Sequence, residues 1–340
     1  MMKLRLIQCG VGGMGKTWWK GATHSSPDFD LVAIADVADA ALGEAGDAIG
    51  IAPDRRFKSL EAALDEVEAD AVLTVTPPAV HVQHAELAFA RGLHLITEKP
   101  IGDTLENAKR MVAMARDAGR QLVVAQNYRF TPHNQTLKRV VAEKTVGDFG
   151  HGHLDFYIPA DFTGSFREAM EFPLLVDMAI HHIDLIRCIT GRNVQRVTAQ
   201  SFRPAWSWYQ HDPGLKMLLE LDGGLPFSYS GDWSARGQTT GWSGTWRMQC
   251  AEGSIHLEGD RVSVARSQRW GKDASNVHVA NDDLALAGQA RLLHDFANAI
   301  HTGKPAETSG EDNLWSFATV IAGVISAKEK RTVDVRELIG

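Results

Sequence analysis

The chain has few cysteines, no long apolar run, no basic tract and no repeated or low-complexity stretch, and each lack removes a class of protein. Its three cysteines, Cys9, Cys188 and Cys250, are odd in number and share no C-x-x-C spacing, which argues against a disulfide framework or a thiolate zinc site. No apolar run approaches the ~18 residues of a membrane span, so no membrane partner is expected. The opening MMKLRLIQCG reads straight into a strand rather than into a charged leader with a cleavable apolar core, and a reducing cytoplasm is the expected compartment. The formal net charge of −7, without a basic run, argues against a nucleic-acid partner. What remains is a folded protein whose partner is a small molecule. A length of 340 residues, 44% of them hydrophobic, suggests two domains, each with its own core.

The first third of the chain carries Gly10-Val11-Gly12-Gly13-Met14-Gly15 between a strand, Lys3 to Cys9, and a helix, Lys16 to Thr23. This is G-x-G-x-x-G in strand-turn-helix context. The first glycine permits the tight turn, the second lets a pyrophosphate approach the backbone, and the third lets helix and strand pack closely. Phosphates then meet exposed N–H groups at the positive end of the helix dipole. A second strand, Asp30 to Ala35, ends in Asp36, placed to bond the adenosine ribose hydroxyls. An acid there repels a 2′-phosphate and no arginine follows closely, so NAD is favoured over NADP. A bland role for Asp36, capping a helix over Ala38 to Ile49, competes with this reading.

Strands and helices go on alternating. Ser59 can cap a short helix to Val67; Ala71 to Val75 is a strand; Pro77-Pro78 opens a helix over Ala79 to Ala90. A strand at His94 to Thr97, a helix over Thr104 to Ala118 with Asp103 as cap, and a strand at Leu122 to Ala125 follow. Such alternation implies a doubly wound parallel sheet with helices on both faces, in a domain spanning 1–126. Ligands of such a sheet bind at the carboxyl ends of its strands, where Thr76, His81, Glu98, Lys99 and Asn127 cluster. His81 is expected to look over the cofactor, and His84 to be an ordinary helix residue.

Beyond residue 126 one segment stands out, Leu174 to Ile189. At 100° per residue, Asp177, His181, Asp184 and Cys188 form one polar stripe on an otherwise apolar helix. Burying such a seam is costly unless its members pair or face a wet cavity, so it is expected to point into a site. Two other readings stay open, a self-satisfied Asp/His pair and a metal site using Asp177, His181, His182 and Asp184. His182 projects about 140° away from Asp177, which opposes the metal. Arg167, just before the seam, is either a ligand for a hydroxyl or carboxylate, or a surface arginine.

The rest of the second domain, 127–340, is read as short strands at His151 to Ile158, Val194 to Arg203, Leu215 to Leu221, Phe227 to Trp233, Trp246 to Cys250, Ser254 to Leu257, Arg261 to Ala265 and Val277 to Ala280. They imply a largely antiparallel open sheet, an α+β domain closed by helices over Ala287 to Ile300 and Asp312 to Ala327. Trp206, Trp208, Trp233, Trp242, Trp246 and Trp270 gather here. Trp206 or Trp208 is a candidate for stacking on a sugar, although such residues more often fill a core or an oligomer face. His151 and His153 share a strand face, read as solvent or interface.

Taken in order, G-x-G-x-x-G, Thr76-Pro77-Pro78 with His81, Glu98-Lys99-Pro100, Gln126-Asn127-Tyr128-Arg129, Asp177-x-x-x-His181 and Thr308-Ser309-Gly310-Glu311-Asp312 resemble the Gfo/Idh/MocA oxidoreductases, the family of glucose-fructose oxidoreductase and inositol dehydrogenase. The resemblance runs over nearly the whole chain. It implies an NAD-dependent enzyme acting on a hydroxyl-bearing carbon of a sugar, cyclitol or related polyol, with Glu98 and Lys99 beside nicotinamide and substrate and the Lys99–Pro100 peptide a candidate for cis. The resemblance implies a catalytic set of Lys99, Asp177 and His181, with Tyr128 and Arg129 as further substrate ligands; Arg167 joins the candidates by its position before the seam. It also points to a homodimer or homotetramer formed through the second sheet. Phe172-Pro173-Leu174-Leu175-Val176, and Ala179, stand where many relatives have glycines, making a bulkier substrate wall. Two rival functions use the same fold, namely redox-neutral elimination or glycoside hydrolysis with tightly held NAD, and dinucleotide and sugar sensing. A sensor has no need of a proton-transfer set.

Overall fold

The computed structural model describes residues 2–267 and 276–340, so Trp270 lies outside the described residues. Strands run β1 (Leu4–Cys9), β2 (Phe29–Ala35), β3 (Arg56–Phe57), β4 (Ala71–Thr74), β5 (His94–Thr97), β6 (Leu122–Val124), β7 (Phe149–Tyr157), β8 (Val194–Phe202), β9 (Gly214–Leu221), β10 (Leu225–Asp232), β11 (Thr245–Cys250), β12 (Gly253–Glu258), β13 (Arg261–Arg266), β14 (Val277–Val279) and β15 (Val333–Asp334). The α-helices are α1 (Gly13–Trp18), α2 (Asp39–Ile49), α3 (Leu60–Glu66), α4 (His81–Ala90), α5 (Leu105–Ala118), α6 (Pro132–Ala142), α7 (Ala179–Thr190), α8 (Gly288–Thr302), α9 (Gly310–Glu329) and α10 (Arg336–Ile339). Among the described residues no helix is long and apolar enough to cross a membrane.

Two compact units form, Met1–Phe130 with Leu286–Leu314, and Thr131–Ala285 with Trp315–Gly340. This differs from the expected single boundary at 126/127, because α8 belongs with the first unit. Its Leu292, Leu293, Phe296 and Ala297 lie on one helical face and are buried with Leu6, Trp18 and Phe29. Phe296 stacks on Phe29 with ring centroids 5.7 Å apart. The following segment is tied in as well, Val124 N donating to Thr308 O at 2.9 Å.

The first unit's strands pair in parallel in the order β3-β2-β1-β4-β5-β6, the doubly wound order that puts a ligand crevice at the carboxyl ends. Every residue of β4 is buried, as expected where helices cover both faces. Ser59 caps α3, accepting from Ala62 N at 3.2 Å. The cap of α5 is Thr104 and not the expected Asp103: Thr104 Oγ1 accepts from Asn107 N at 3.1 Å, while Asp103 takes the Asn107 side-chain amide at 2.7 Å.

In the second unit the order is β14-β13-β12-β11-β7-β10-β9-β8-β15. All pairings are antiparallel apart from β7 with β10. Alternation along β9 turns Leu215, Met217, Leu219 and Leu221 inward and leaves Lys216 and Leu218 outward. Helix α6 has no counterpart in the sequence reading. Its buried face carries Asn134 and Thr136 beside Leu137 and Val140, so polar residues mask its apolar period.

Candidate active site

The dinucleotide loop is built by contacts that only glycine allows. Gly10 has φ +89°, and a Cβ there would lie 2.1 Å from Val75 O; a Cβ on Gly15 would lie 2.2 Å from Gly10 O. Gly12 differs, since its nearest neighbour would be Ala41 Cβ at 3.6 Å, which leaves its backbone open to a ligand. Gly13 and Met14 are exposed at the start of α1. Asp36 closes the loop from β2, its Oδ2 accepting from Val11 N at 2.9 Å and Gly12 N at 3.2 Å and its Oδ1 from Ala38 N at 2.9 Å. Asp36 does not cap the helix that follows, whose N-cap is Ala38 with no side-chain cap bond; it lies beside the glycine loop and ties the turn at Ala38 N. The donor set fits a dinucleotide: bare glycines, exposed helix-start N–H groups and a carboxylate with lone pairs left for ribose hydroxyls.

Sequence reasoning missed the brace beneath this loop. Gln8, wholly buried on β1, donates to Gly10 O and Gly15 O, each at 3.1 Å, and Thr23 Oγ1 donates to Gln8 Oε1 at 2.9 Å. It also missed Trp18, whose indole N–H donates to Glu98 Oε1 at 2.7 Å while Glu98 Oε2 accepts from Lys99 N at 3.0 Å. Trp18 and Glu98 are 80 residues apart and leave no local signal; the partners of Gln8 are near in sequence, and a glutamine on an otherwise buried strand was the cue that could have raised the question.

At the carboxyl edge, Thr76 Oγ1 lies 2.9 Å from Thr74 Oγ1, which lies 2.7 Å from His84 Nδ1. Burial pushes the His84 imidazole down to about 4, with His81 adding to the effect. The expectation that His81 looks over the cofactor is corrected. Its side chain is fully buried, with Nε2 2.9 Å from Thr76 O and Nδ1 3.2 Å from Pro100 O, so it joins the two loops from beneath. Burial also lowers its pKa. Pro77 is exposed ahead of a 3-10 turn, Pro78–Val80, and the Lys99–Pro100 peptide is cis. Asn127, Tyr128 and Arg129 share a 3-10 turn, Asn127–Phe130, with Asn127 and Tyr128 partly exposed. Arg129 is a second correction: its guanidinium is buried and donates to Glu307 O at 2.8 Å and to Asp312 Oδ2 at 2.5 Å, so it fastens the closing segment rather than offering a fork to substrate.

In the second unit the expected continuous helix over the seam begins as a π-turn, Leu174–Met178, and continues as α7. Single π-turns often occur at functional sites, since the extra residue re-aims a side chain. Asp177 lies in this π-turn, and its carboxylate is 15% exposed and paired with Arg167, Nε to Oδ2 at 2.6 Å. His181 lies in the first turn of α7, 7% exposed. Lower in the seam Asp184 is bonded within the second unit: Ser316 Oγ donates to Asp184 Oδ1 at 2.8 Å and accepts from Arg187 Nη1 at 2.7 Å. His182 packs among apolar side chains, its ring 4.6 Å from that of Phe156 and its nitrogens 3.0 Å from Tyr229 Oη and 2.9 Å from Trp242 O. Burial pushes it down to about 4. Trp233 and Trp246 are core residues, whereas Trp206 and Trp242 are about half exposed, at 49% and 50%. The expected site residues thus fall into two groups, the glycine loop, Asp36, Thr76, Glu98 and Lys99 in the first unit, and Arg167, Asp177 and His181 in the second.

A doubly wound sheet with a glycine loop closed by a strand-end acid, joined in one chain to an open-sheet domain bearing an Asp/His seam, marks a dinucleotide-binding protein. Residues 4–126 match the oxidoreductase family with NAD-binding Rossmann fold, and residues 134–256 match the GFO/IDH/MocA C-terminal domain. The chain belongs to the Gfo/Idh/MocA family and is an NAD(P)-dependent dehydrogenase. It is 28% identical over 348 residues to a D-apiose dehydrogenase of Paraburkholderia graminis, covering 98% of this chain and 89% of that one. It is 26% identical over 347 residues to an inositol 2-dehydrogenase of Rhizobium meliloti, covering 98% and 100%. Among solved structures, an oxidoreductase of Agrobacterium radiobacter in complex with NAD+, L-tartaric acid and magnesium shares the fold, with a TM-score of 0.88 at 24% identity over 99% of this chain and 100% of that one.

Proposed function

We propose that the protein catalyses reversible hydride transfer between NAD and a hydroxyl-bearing carbon of a neutral sugar, cyclitol or related polyol. The observation that carries this reading is the retention, in one chain of this family, of the closed glycine loop together with Lys99, Asp177 and His181. His181 takes the hydroxyl proton as general base. Lys99, whose backbone N–H is held by Glu98 Oε2 at 3.0 Å, stabilises the developing charge on that oxygen. Asp177 accepts a hydrogen bond from a neighbouring hydroxyl. A bound nicotinamide supplies the hydride acceptor, and the chain supplies orientation and proton handling. NAD is the preferred cofactor because Asp36 would face a 2′-phosphate with like charge, and Lys58, which donates to Val37 O at 2.7 Å, is already paired with Asp39.

The outer face of the second sheet, with Lys216, Leu218 and Glu220 along β9, is the surface through which a homodimer or homotetramer would form. The experiment is nicotinamide absorbance with NAD, then NADP, across inositols, aldoses and their deoxy and acid derivatives. Reduction of NAD by at least one neutral polyol is expected, and Lys99→Met and His181→Asn should each lower turnover about 10²-fold with NADH affinity unchanged. Cofactor that stays bound while substrate turns over without free NADH would replace this reading with redox-neutral chemistry.

A further inference from the structure

We propose that Arg167 is a positioning residue that acts on the reaction through Asp177; the inference rests on the function proposed above. Arg167 presents one edge of its guanidinium to the carboxylate, Nε donating to Oδ2 at 2.6 Å and Nη2 to Oδ1 at 3.4 Å. Both carboxylate oxygens are therefore held in one plane. The guanidinium is itself held by aromatic rings, its Cζ 5.0 Å from the Phe162 ring centroid and 4.6 Å from that of Phe166. Phe162 in turn meets Trp233 edge-on at 5.1 Å, and Trp233 stacks on Tyr209 at 6.2 Å. The supporting wall is thus continuous from the core out to the pair.

The segment that delivers Arg167 is irregular but internally tied. Thr163 N donates to Asp161 Oδ1 at 3.0 Å, Gly164 N to Glu168 Oε2 at 2.7 Å and Arg167 N to Ser165 Oγ at 3.3 Å. The π-turn carries the other partner, so neither side chain of the pair hangs from an unsupported backbone. A planar fork lying against the Phe162 ring loses less freedom on pairing than a lysine would.

Two consequences follow for the chemistry. Asp177 keeps a fixed direction in which to accept a substrate hydroxyl, one helical turn before His181, and such orientation is worth up to about 10²-fold when it is lost. The guanidinium charge is also answered within the protein. The pair as a whole therefore presents no net charge to a substrate, which suits a hydroxyl group in the subsite it shapes.

The test is a double-mutant cycle on steady-state kinetics with Arg167→Met, Asp177→Asn and the combined variant, together with Arg167→Lys. Arg167→Met is expected to lower kcat about 10- to 100-fold, with the NADH dissociation constant within twofold of the parent and Arg167→Lys intermediate. In the Asp177→Asn background the same replacement should cost nothing further, because a residue acting through Asp177 has no effect once that carboxylate is gone. An equal loss in both backgrounds, a rise in KM at unchanged kcat, or no change at all overturns the proposal. A parent chain that oxidises no polyol removes the proposed function and this inference together, whereas an active parent indifferent to Arg167→Met removes only the inference.

Discussion

Replacement of Gly15 by alanine tests the construction of the dinucleotide loop. The added Cβ would sit 2.2 Å from Gly10 O and 3.5 Å from Gln8 Nε2. Ordinary contact begins at 3.4 Å, so the carbonyl must retreat by 3.4 − 2.2 = 1.2 Å, and it is backbone rather than the end of a flexible side chain. That retreat moves α1 off β1 and strains the two 3.1 Å bonds from Gln8. Overpacking of this kind costs on the order of 3 kcal/mol. Gly13→Ala is the control, because its φ is +41° and a Cβ there meets nothing within 4 Å, so only the left-handed backbone penalty of about 1 kcal/mol applies. Urea unfolding should rank the variants parent, Gly13→Ala, Gly15→Ala in falling stability. NADH titration followed by fluorescence should show at least a tenfold loss for Gly15→Ala, the equivalent of about 1.4 kcal/mol. A Gly15→Ala protein as stable as Gly13→Ala, and binding NADH as tightly as the parent, would refute the steric account.

Two further outcomes are expected. Asp36→Ser removes both the acid and the acceptor for Val11 N and Gly12 N; NADH affinity should fall about tenfold while NADPH affinity rises, and an unchanged ratio of the two dissociation constants would show that Asp36 does not select the cofactor. His84 and His182 are held neutral, each near 4 against an ordinary 6.5. With the folded value below the unfolded one, their contribution is complete above about pH 6.5 and is lost as pH falls toward 4, so the urea midpoint should be level above pH 6.5 and decline below it. His182→Gln should shallow that decline, and a parent profile flat down to pH 4 would contradict the burial argument.

Most of the architecture of the first unit could be read from the sequence, because its strands, apart from the two-residue β3, are predominantly apolar segments alternating with helical ones. The antiparallel character of the second sheet was equally legible, as alternation along strands such as β9 depends only on which face is wet. What was lost depends on partners distant in sequence. Nothing near Arg129 announces that Asp312 waits for it, and nothing near Asp184 announces Ser316. His81 was misread for a different reason. Position at a strand's carboxyl end says where a residue starts, and the ring then turns inward to two loop carbonyls rather than out to a ligand. The π-turn at Leu174–Met178 was invisible because a fixed 100° period has no place for an extra residue.

The return of α8 to the first unit sets an order of events during synthesis. Phe29 and Trp18 leave the ribosome early, yet the side chains that cover them, Leu292, Leu293 and Phe296, come more than 250 residues later. For most of translation the nascent dinucleotide-binding unit therefore carries an uncovered apolar face, a surface of the kind that holding chaperones bind. A chain halted near residue 280 would keep its glycine loop and most of its parallel sheet and still be a substrate for quality control.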